Sequence, residues 1–364
     1  MNEERETKHV IIIGAGPAGL AAAVCLARRR IHYTLLEQGA HVSSALRQVD
    51  PQMVLLSPTS LSLMPEMKAP KGASEYLSFH ALVGALERYQ EEHRVQVTSD
   101  AEVVSVAHDG AAFTVRYRDR EKVEHELKAS HVINATGIIS HPQLPPDFKP
   151  GEYPFRWMHS IEARGSHLAE ARKLLVVGGG ASAAEVLERW LEVRSGDARA
   201  WLSLRSPLRA VPHWILGIDI HYFGWLPEQL PACLIGWKAG RFNEPMTGLA
   251  VTRAIKSGLI TKAPAVRSYD GDTVTFRDGK RLQPDLVVFS TGFRYASEHL
   301  DQLVNHDPDK RPLVKNCEST RTPGLYLLGY RFGRTFASPY LRGIARDAEY
   351  VAERIASDVN WQRH

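Results

Sequence analysis

The sequence predicts an α/β protein built from two Rossmann-like dinucleotide-binding domains. Three observations predict this fold class: two glycine-rich turns, a run of aliphatic residues before each turn, and a helical pattern after it. The turns are Gly14-Ala15-Gly16-Pro17-Ala18-Gly19 and Gly178-Gly179-Gly180-Ala181-Ser182-Ala183. A chain of 364 residues is long enough to form two hydrophobic cores. The paired turns therefore indicate a protein that binds two dinucleotides, and such a pair is typical of redox enzymes.

The first turn follows a predicted strand, Val10–Ile13, and precedes a predicted helix over about residues 20–30. In this motif Gly14 permits the tight turn, Gly16 lets the backbone approach a pyrophosphate, and Gly19 allows the helix to pack closely on the strand. The N-terminal end of the helix then faces the phosphates with its positive dipole. We expect this unit to bind the first dinucleotide.

The second turn repeats the pattern, with one difference in the motif. It follows the predicted strand Leu174–Val177 and precedes a helix from Ala183 to Arg194. Ala183 stands where the motif has its third glycine, a replacement that the motif tolerates. The chain therefore contains a second dinucleotide-binding unit.

The two units differ in charge at the end of their second strand. His32–Leu36 ends in Glu37, and a carboxylate there accepts hydrogen bonds from both ribose hydroxyls of an adenosine. Trp201–Leu204 ends instead in Arg205 and Ser206, and a guanidinium binds a 2′-phosphate that a carboxylate would repel. The first unit thus reads as FAD-like and the second as NADPH-like. The alternative for Arg205 is an ordinary solvated arginine, and Arg209 is a weaker candidate for the same phosphate.

Each unit is followed by predicted hairpin strands and then by an apolar strand that ends in Thr-Gly. In chain order these segments are Val95–Val97, Glu102–Val106, Phe113–Arg118 after the turn-forming Asp109-Gly110, Val132–Asn134 before Ala135-Thr136-Gly137, Val274–Arg277, and Leu286–Phe289 before Ser290-Thr291-Gly292. The similar spacing in both halves indicates internal duplication. We expect a discontinuous FAD-binding domain, residues 1–148 and 282–364, with an NADP-binding domain inserted at 149–281.

The C-terminal part returns to the first domain through the predicted strand Leu325–Leu328. A helix follows, in which Ser338 and Pro339 are the expected N-cap and first-turn proline. Its apolar residues recur at helical spacing from Leu341 onward. The start of this helix is a candidate to stabilise negative charge on the pyrimidine end of a flavin, with Arg342 either reinforcing that charge effect or facing solvent.

Composition excludes several other classes of protein. The 45 basic and 41 acidic side chains are nearly balanced, and no basic block indicates a nucleic-acid partner. Cys25, Cys233 and Cys317 form no Cys-x-x-Cys pair, so neither a redox disulfide nor a metal site is expected. Residues 1–8 are polar and no apolar run is long enough to span a bilayer, so the expected location is the cytoplasm.

The whole pattern resembles the flavin-containing monooxygenases, especially the short bacterial single-chain members, and the related plant YUCCA enzymes. The resemblance covers nearly the whole chain and rests on Gly14–Gly19 with Glu37, Leu55–Pro58 continuing to Met64-Pro65, Ala135–Gly137, Gly178–Ala183 with Glu185, Ser290–Phe293, Tyr326–Gly329, and Ala337-Ser338 with the Leu341–Ala348 helix. It implies FAD in the first domain, NADPH in the second, and oxygenation through a C4a-hydroperoxyflavin. The implied substrates are molecular oxygen and a small soft nucleophile, a sulfide or an amine.

Two segments depart from the pattern of that family. The usual Gly-Gly-x-Trp is here Ser43-Ser44-Ala45-Leu46, which changes backbone approach and aromatic stacking near the flavin. The family's FxGxxxHxxx(F/Y) motif keeps His159, but Phe155 replaces its glycine and Ala163 its closing aromatic residue. Baeyer–Villiger oxygenation therefore ranks below heteroatom oxygenation. His159 either orders the linker between the domains or is an ordinary surface histidine.

Chemistry in this class is centred on the flavin, so the sequence predicts no catalytic triad. Weak candidates near the flavin are Ser57, Thr59, Arg47 and Gln48, for each of which an ordinary loop role is an equal alternative. The residues expected to bind the cofactors are Gly14, Gly16, Pro17, Ala18, Gly19, Glu37, Thr136, Gly137, Gly178, Gly180, Ala181, Ser182, Ala183, Arg205, Ser206, Thr291, Gly292, Ser338 and Leu341.

Two rival functions and one unassigned segment stay open at this point. The rivals are a flavin reductase that passes electrons to a disulfide, quinone or protein acceptor, and a binding protein that retains FAD without turnover. The aromatic segment Pro212–Phe242 either covers the substrate channel, touches a membrane, forms a homodimer contact or packs on its own domain.

Overall fold

The structure is a computed structural model that describes residues 9–361, apart from 65, 140, 152, 209, 212, 229, 232–245, 248 and 309. Its helices are α1 (Pro17–Arg28), α2 (Phe79–Glu92), α3 (Gly165–Glu170), α4 (Ala181–Val193), α5 (Ile220–Glu228), α6 (Leu249–Lys256) and α7 (Leu341–Trp361). Four 3₁₀ turns lie at Leu46–Gln48, Thr59–Leu61, Ser160–Glu162 and Glu298–Leu300. No helix in the described part of the chain has the length and apolar character that a membrane span needs.

The strands are short and are distributed over two main sheets and several small ones. In chain order they are β1 (His9–Ile13), β2 (His32–Leu36), β3 (Glu102–His108), β4 (Phe113–Arg118), β5 (Glu124–Ala129), β6 (His131–Asn134), β7 (His141–Pro142), β8 (Arg156–His159), β9 (Lys173–Val177), β10 (Arg199–Leu204), β11 (Ala210–Val211), β12 (Trp214–Ile215), β13 (Ile218–Asp219), β14 (Met246–Thr247), β15 (Ile260–Pro264), β16 (Val266–Asp270), β17 (Thr273–Phe276), β18 (Arg281–Leu282), β19 (Leu286–Phe289), β20 (Phe293–Arg294), β21 (Val314–Lys315), β22 (Glu318–Ser319) and β23 (Leu325–Leu327).

The first main sheet has the strand order β2-β1-β6-β23-β22-β21, and its first four strands are parallel. Strand β1 is an aliphatic run because both of its faces are covered. Ile12 packs with helices α1 and α7 on one side, and Ile11 packs with the β3-β4-β5 sheet on the other. The two faces together form the core of the first domain.

The second main sheet has the order β15-β10-β9-β19-β8, with every neighbouring pair parallel. Helix α4 packs on one face, where Trp190 is fully buried among aliphatic side chains. Aromatic residues around Phe148 and Phe289 cover the other face. The glycine turns follow the central strands β1 and β9 in the two sheets, so the predicted fold of two dinucleotide-binding domains is confirmed.

The topology bears on the expected boundary between the domains. Strand β19 lies in the second sheet, between β9 and β8, although it falls in the returning part of the first domain in the sequence analysis. We therefore propose that the inserted domain extends through β19 and ends near Gly292. The two domains then each keep the strand that ends in their own Thr-Gly turn.

Three expectations about local structure are wrong or incomplete. Val95–Val97 forms no strand, because only the next residue, Thr98, makes a bridge with β2 at Leu36. Strand β5 completes a three-stranded sheet that the alternating pattern of β3 and β4 did not predict. Ser338 is not the N-cap of the last helix, which begins at Leu341.

Candidate cofactor sites

The first glycine turn has a geometry that only glycine accommodates at two of its positions. Gly14 has a φ of +99°, and a Cβ there would lie 2.8 Å from the carbonyl oxygen of Ala135. A Cβ on Gly19 would lie 1.8 Å from the carbonyl oxygen of Gly14. At Gly16, in contrast, no atom lies within 4 Å of the added Cβ. The space beside Gly16 is therefore open to a ligand, and it adjoins the N-terminus of α1, which suits a pyrophosphate.

Glu37 holds the first turn in place as well as facing the ribose position. It is 5% exposed, and its two oxygens accept hydrogen bonds from the backbone N–H groups of Ala15 (2.7 Å) and Gly39 (3.0 Å). A carboxylate has about four lone-pair sites, so each oxygen retains acceptor capacity for a ribose hydroxyl. The residues around this turn fit the adenosine half of FAD.

The second turn repeats the same steric constraint at the equivalent atom. Gly178 has a φ of +130°, and a Cβ there would lie 2.1 Å from the carbonyl oxygen of Ser290. Ser290 immediately precedes the second Thr-Gly pair, as Ala135 precedes the first. Helix α4 begins at Ala181, and Ala183 in its first turn is fully buried at the position of the motif's third glycine. The two turns thus have the same architecture and differ in what surrounds them.

The second turn faces positive charge at the end of its second strand. Arg205 and Ser206 are exposed immediately after β10, and within the described residues neither side chain has a hydrogen-bond or ion-pair partner. The free guanidinium fits the 2′-phosphate of NADPH. Arg209 lies outside the described residues.

Both Thr-Gly turns have the same backbone conformation but place their threonine hydroxyls in different surroundings. Gly137 and Gly292 have φ values of +79° and +86°. The Thr136 hydroxyl donates to the Ala296 carbonyl (3.0 Å) and lies 3.1 Å from the Tyr330 hydroxyl. Thr291 donates to the backbone carbonyl of Gln143. The two hydroxyls therefore stabilise the turns through protein contacts, while the backbone remains the part available to a cofactor.

A buried polar network supports the first Thr-Gly turn from below. The Asn134 amide donates to the Tyr330 hydroxyl (2.7 Å), and its oxygen lies 2.9 Å from Nε2 of His299. Burial lowers the pKa of His299 to about 4, so its ring is neutral at pH 7 and donates to the amide oxygen. Sequence analysis missed this network because its members are up to 196 residues apart.

His159 is buried at the end of β8, beside the turn where the chain leaves the second domain, rather than lying on the surface. It is 2% exposed, its Nε2 lies 3.0 Å from the carbonyl oxygen of Gly292, and its Nδ1 accepts from the N–H of Ile161 (3.4 Å). Burial lowers the pKa of His159, which favours the neutral ring that donates from Nε2. Of the two alternatives from the sequence, the ordering role at the linker agrees with these contacts.

The weak catalytic candidates are engaged in contacts within their own loop. Arg47 forms an ion pair with Glu87 and donates to the Val42 carbonyl (3.2 Å). The Ser57 hydroxyl lies 2.9 Å from that of Ser62, and that of Thr59 donates to the Ser74 carbonyl (2.8 Å). The exposed Gln48 side chain makes no hydrogen bond in the described part of the structure. These contacts shape the loop after β2 and leave the chemistry to the cofactor.

The start of the last helix is organised differently from the expectation. The fully buried Ser338 hydroxyl accepts from the N–H groups of Arg334 (2.9 Å) and Thr335 (3.1 Å), so it orders the loop before the helix. The Arg342 side chain is only 10% exposed, so it does not face solvent. Its guanidinium donates two hydrogen bonds, of 2.8 and 2.7 Å, to the carboxylate of Glu228 at the end of α5.

A second contact between the domains was not visible in the sequence. The Asp50 carboxylate is buried, accepts from the N–H of Gly165 (2.7 Å), and lies 3.4 Å from Nε of Arg189. Arg189 also contacts Gln52. The loop after β2 in the first domain is therefore joined to helices α3 and α4 of the second domain.

Comparisons with known proteins agree with this geometry. A family model described as pyridine nucleotide-disulphide oxidoreductase matches residues 11–195. The indole-3-pyruvate monooxygenase YUCCA1 of Oryza sativa subsp. japonica is 30% identical, over 97% of this chain and 93% of its own.

Solved structures share the fold at low sequence identity. A flavin-containing monooxygenase from Stenotrophomonas maltophilia has a TM-score of 0.76 at 22% identity, covering 97% of this chain and 99% of its own. A bacillithiol disulfide reductase from Bacillus cereus has a TM-score of 0.75 at 20% identity, covering 96% and 99%. The chain belongs to the pyridine nucleotide-disulphide oxidoreductase family and, within it, to the flavin-containing monooxygenases.

Proposed function

We propose that this chain is an NADPH-dependent, FAD-containing monooxygenase that transfers one atom of molecular oxygen to a thioether or an amine. The observation that supports the cofactors best is the pair of equivalent glycine turns, of which the first is bound by Glu37 and the second belongs to a unit whose second strand is followed by Arg205, a side chain with no partner among the described residues. Oxygen transfer is supported by relatedness to a monooxygenase along 97% of the chain. When bound, FAD accepts a hydride from NADPH and activates oxygen.

The protein's own contribution is binding, orientation and the fixed position of the two domains. The N-termini of α1 and α4 and the open space beside Gly16 suit the phosphates of the two cofactors. Asp50 joins the loop after β2 to helices α3 and α4, and so helps to fix where the nicotinamide of NADPH meets the flavin. His159 orders the turn at Gly292, where the chain leaves the second domain. Glycine turns bind and orient the cofactors, which is the share of catalysis that a protein of this class supplies.

The cysteines bear on the competing function, a reductase without oxygen transfer, which the likeness to a disulfide reductase brings into consideration. Cys25 and Cys317 are free and buried, and Cys233 lies outside the described residues. Burial raises the pKa of Cys25 to about 12 and that of Cys317 well above its usual value, so neither thiol is an effective nucleophile at pH 7. Electron transfer through an internal disulfide is therefore disfavoured, whereas direct transfer from flavin to an external acceptor remains the second candidate.

Isotope labelling distinguishes the two functions. The FAD-loaded protein is mixed with NADPH, ¹⁸O₂ and one probe at a time: thioanisole, benzylamine or indole-3-pyruvate. We expect one ¹⁸O atom in the oxidised thioether or amine, with product formed in proportion to NADPH consumed. NADPH oxidation that yields only labelled hydrogen peroxide would refute oxygen transfer. So would a parallel assay without oxygen in which a quinone is reduced as fast as NADPH is oxidised in air, if no probe is labelled. Label found only in the product formed from indole-3-pyruvate would refute a thioether or an amine as the substrate.

A further inference from the structure

We propose that His213, Asp219 and His221 form a binding site for one divalent transition-metal ion, for which Zn²⁺ is the probe. Their ligand atoms all lie within 4.8 Å of one another. The Nε2 atom of His213 is 2.9 Å from one oxygen of Asp219, and Nδ1 of His221 is 2.7 Å from the other. Two imidazoles and one carboxylate are a ligand set that zinc commonly uses, with a further position for water. The sequence analysis expected no metal site because it considered only cysteine pairs.

Local backbone structure brings the three ligands together within nine residues. Strands β12 and β13 form an antiparallel hairpin in which Trp214 is opposite Asp219. Its turn residues, Leu216 and Gly217, have φ values of +51° and +77°, as a type I′ turn requires. The N–H of Ile220 donates to the His213 carbonyl (2.9 Å), which extends the pairing by one residue. The ligands are therefore positioned by short-range structure before any contact with the rest of the protein.

Burial makes a bound cation favourable at this position. The Asp219 side chain is 0% exposed, and those of His213 and His221 are 16% and 19% exposed. A buried carboxylate is costly unless it is paired, and both histidines present it with a ring nitrogen.

Hydrogen bonds from neighbouring groups also orient the Asp219 carboxylate. The Tyr76 hydroxyl, from the first domain, donates to Asp219 (2.5 Å) and lies 3.1 Å from Nε2 of His213. The backbone N–H of His221 donates to the other Asp219 oxygen (2.8 Å). Outer-shell partners of this kind fix ligand geometry in metal sites.

Metal binding requires only a small rearrangement of these groups. Zn–N and Zn–O bonds of about 2.0–2.2 Å in a tetrahedral site separate neighbouring ligand atoms by roughly 3.3 Å. The present separations of 2.9 and 2.7 Å are those of hydrogen bonds, so an entering ion must push the ligands apart by about 0.5 Å. On binding, the proton between each imidazole nitrogen and Asp219 moves by exchange with solvent to the other nitrogen of the same ring, so each imidazole coordinates as a neutral ligand and Asp219 as a carboxylate.

The site lies where the segment around α5 meets the first domain. Besides the Tyr76 contact, the Tyr222 hydroxyl lies 2.8 Å from that of Ser60, and Glu228 binds Arg342. A metal ion here ties the hairpin and the start of α5 into one rigid unit, which rests on the loop of Ser60 and Tyr76.

The test uses untagged, FAD-loaded protein that is first stripped with EDTA. After dialysis against equimolar Zn²⁺, metal content is measured by mass spectrometry, and affinity is measured by competition with a chromophoric chelator. We expect one equivalent of zinc in the wild type, at least 100-fold weaker binding in His221→Asn, and about 10- to 100-fold weaker binding in Tyr76→Phe. His80→Asn, at an exposed histidine outside the cluster, is the matched control and retains full affinity.

Two outcomes of the zinc measurements overturn the proposal. One is that the wild type holds no more zinc than the double variant His213→Asn/His221→Asn, in which case the three side chains form only a hydrogen-bonded cluster. The other is loss of binding in His80→Asn as large as in His221→Asn. A measurement that needs no variant adds Co²⁺ to the wild type alone, where absence of a visible d–d spectrum of four- or five-coordinate cobalt also refutes the site. FAD content, read from its absorbance, is independent of all these results, so failure here leaves the proposed oxidoreductase function untouched.

Discussion

Replacing Arg205 with alanine tests the assignment of the second cofactor directly. The guanidinium is exposed and has no partner within the described structure, so its removal breaks no contact of the folded protein. Substitutions at such positions change the free energy of unfolding by about 0.5 kcal/mol or less. Any large kinetic effect of Arg205→Ala must therefore come from the lost contact with the cofactor.

The size of that effect follows from the kind of hydrogen bond involved. Hydrogen bonds to charged groups contribute about 1.5–3 kcal/mol, and a bidentate guanidinium–phosphate pair lies in this range. Since 1.4 kcal/mol corresponds to a factor of ten, we expect KM for NADPH to rise about 10- to 150-fold in Arg205→Ala. NADH has no 2′-phosphate, so its KM stays within about twofold of the wild-type value.

The assay is the steady-state oxidation of each nicotinamide cofactor, followed by its absorbance, with oxygen in excess. Arg199→Ala is the matched control because Arg199 is also exposed but lies at the opposite end of the same strand, β10. Equal increases in KM for NADPH and NADH in Arg205→Ala would refute the phosphate contact. An equal NADPH effect in Arg199→Ala would show that the change reflects general charge rather than position.

Three further predictions use other parts of the structure. Gly16→Ala should leave the thermal stability of the apoprotein unchanged and abolish FAD retention, because the space beside Gly16 is open in the structure. Gly19→Ala should prevent folding, because its Cβ would lie 1.8 Å from the carbonyl oxygen of Gly14, and similar melting temperatures for the two apoproteins would contradict this. Burial lowers the pKa of His299 to about 4 in the folded state, below its usual 6.5, so the unfolded state binds a proton that the folded state does not, and the free energy of unfolding should fall by roughly 3 kcal/mol as pH drops from 6.5 to 4. In urea titrations the free energy of unfolding of His299→Gln should depend less steeply on pH, and the same pH dependence as in the wild type would exclude this group. Glu228→Gln removes the carboxylate that pairs with Arg342 and should lower the free energy of unfolding, measured in urea, by about 3 kcal/mol. The double variant Glu228→Gln/Arg342→Met should recover part of this loss, and a larger loss in the double variant would contradict the pairing.

The fold class and the two glycine turns could be predicted from the sequence, because they depend on constraints between residues close together in the chain. A tight turn after a buried strand needs glycine at fixed positions, so Gly14 and Gly178 identified the fold without any knowledge of packing. The same reasoning failed at Val95–Val97, where a β-branched pattern did not become a strand because only Thr98 reaches β2. It also failed at Ser338, whose hydroxyl is used by the preceding loop rather than by the helix.

The contacts that join the two domains could not be predicted, because they have no periodic pattern and no nearby partner. Arg342 pairs with a carboxylate 114 residues away, and Asp50 contacts Arg189 139 residues away. A charged residue in a sequence is equally consistent with a solvated surface position, which is the commoner one. The cluster of His213, Asp219 and His221 differs, since its members lie close together in the sequence, but it contains none of the cysteine pairs by which a metal site is usually recognised.

The two dinucleotide units differ in how freely their specificity can change. The oxygens of Glu37 accept from the backbone N–H groups of Ala15 and Gly39, and so stabilise the turn at which we propose that FAD binds. Replacing Glu37 therefore disturbs the fold and FAD binding together. Among the described residues Arg205 has no partner, so we expect that its replacement changes the preference for NADPH or NADH without cost to stability. The backbone is constrained in the same way at Gly14 and Gly178, whereas the two proposed ribose-end residues, Glu37 and Arg205, differ in whether the fold depends on them.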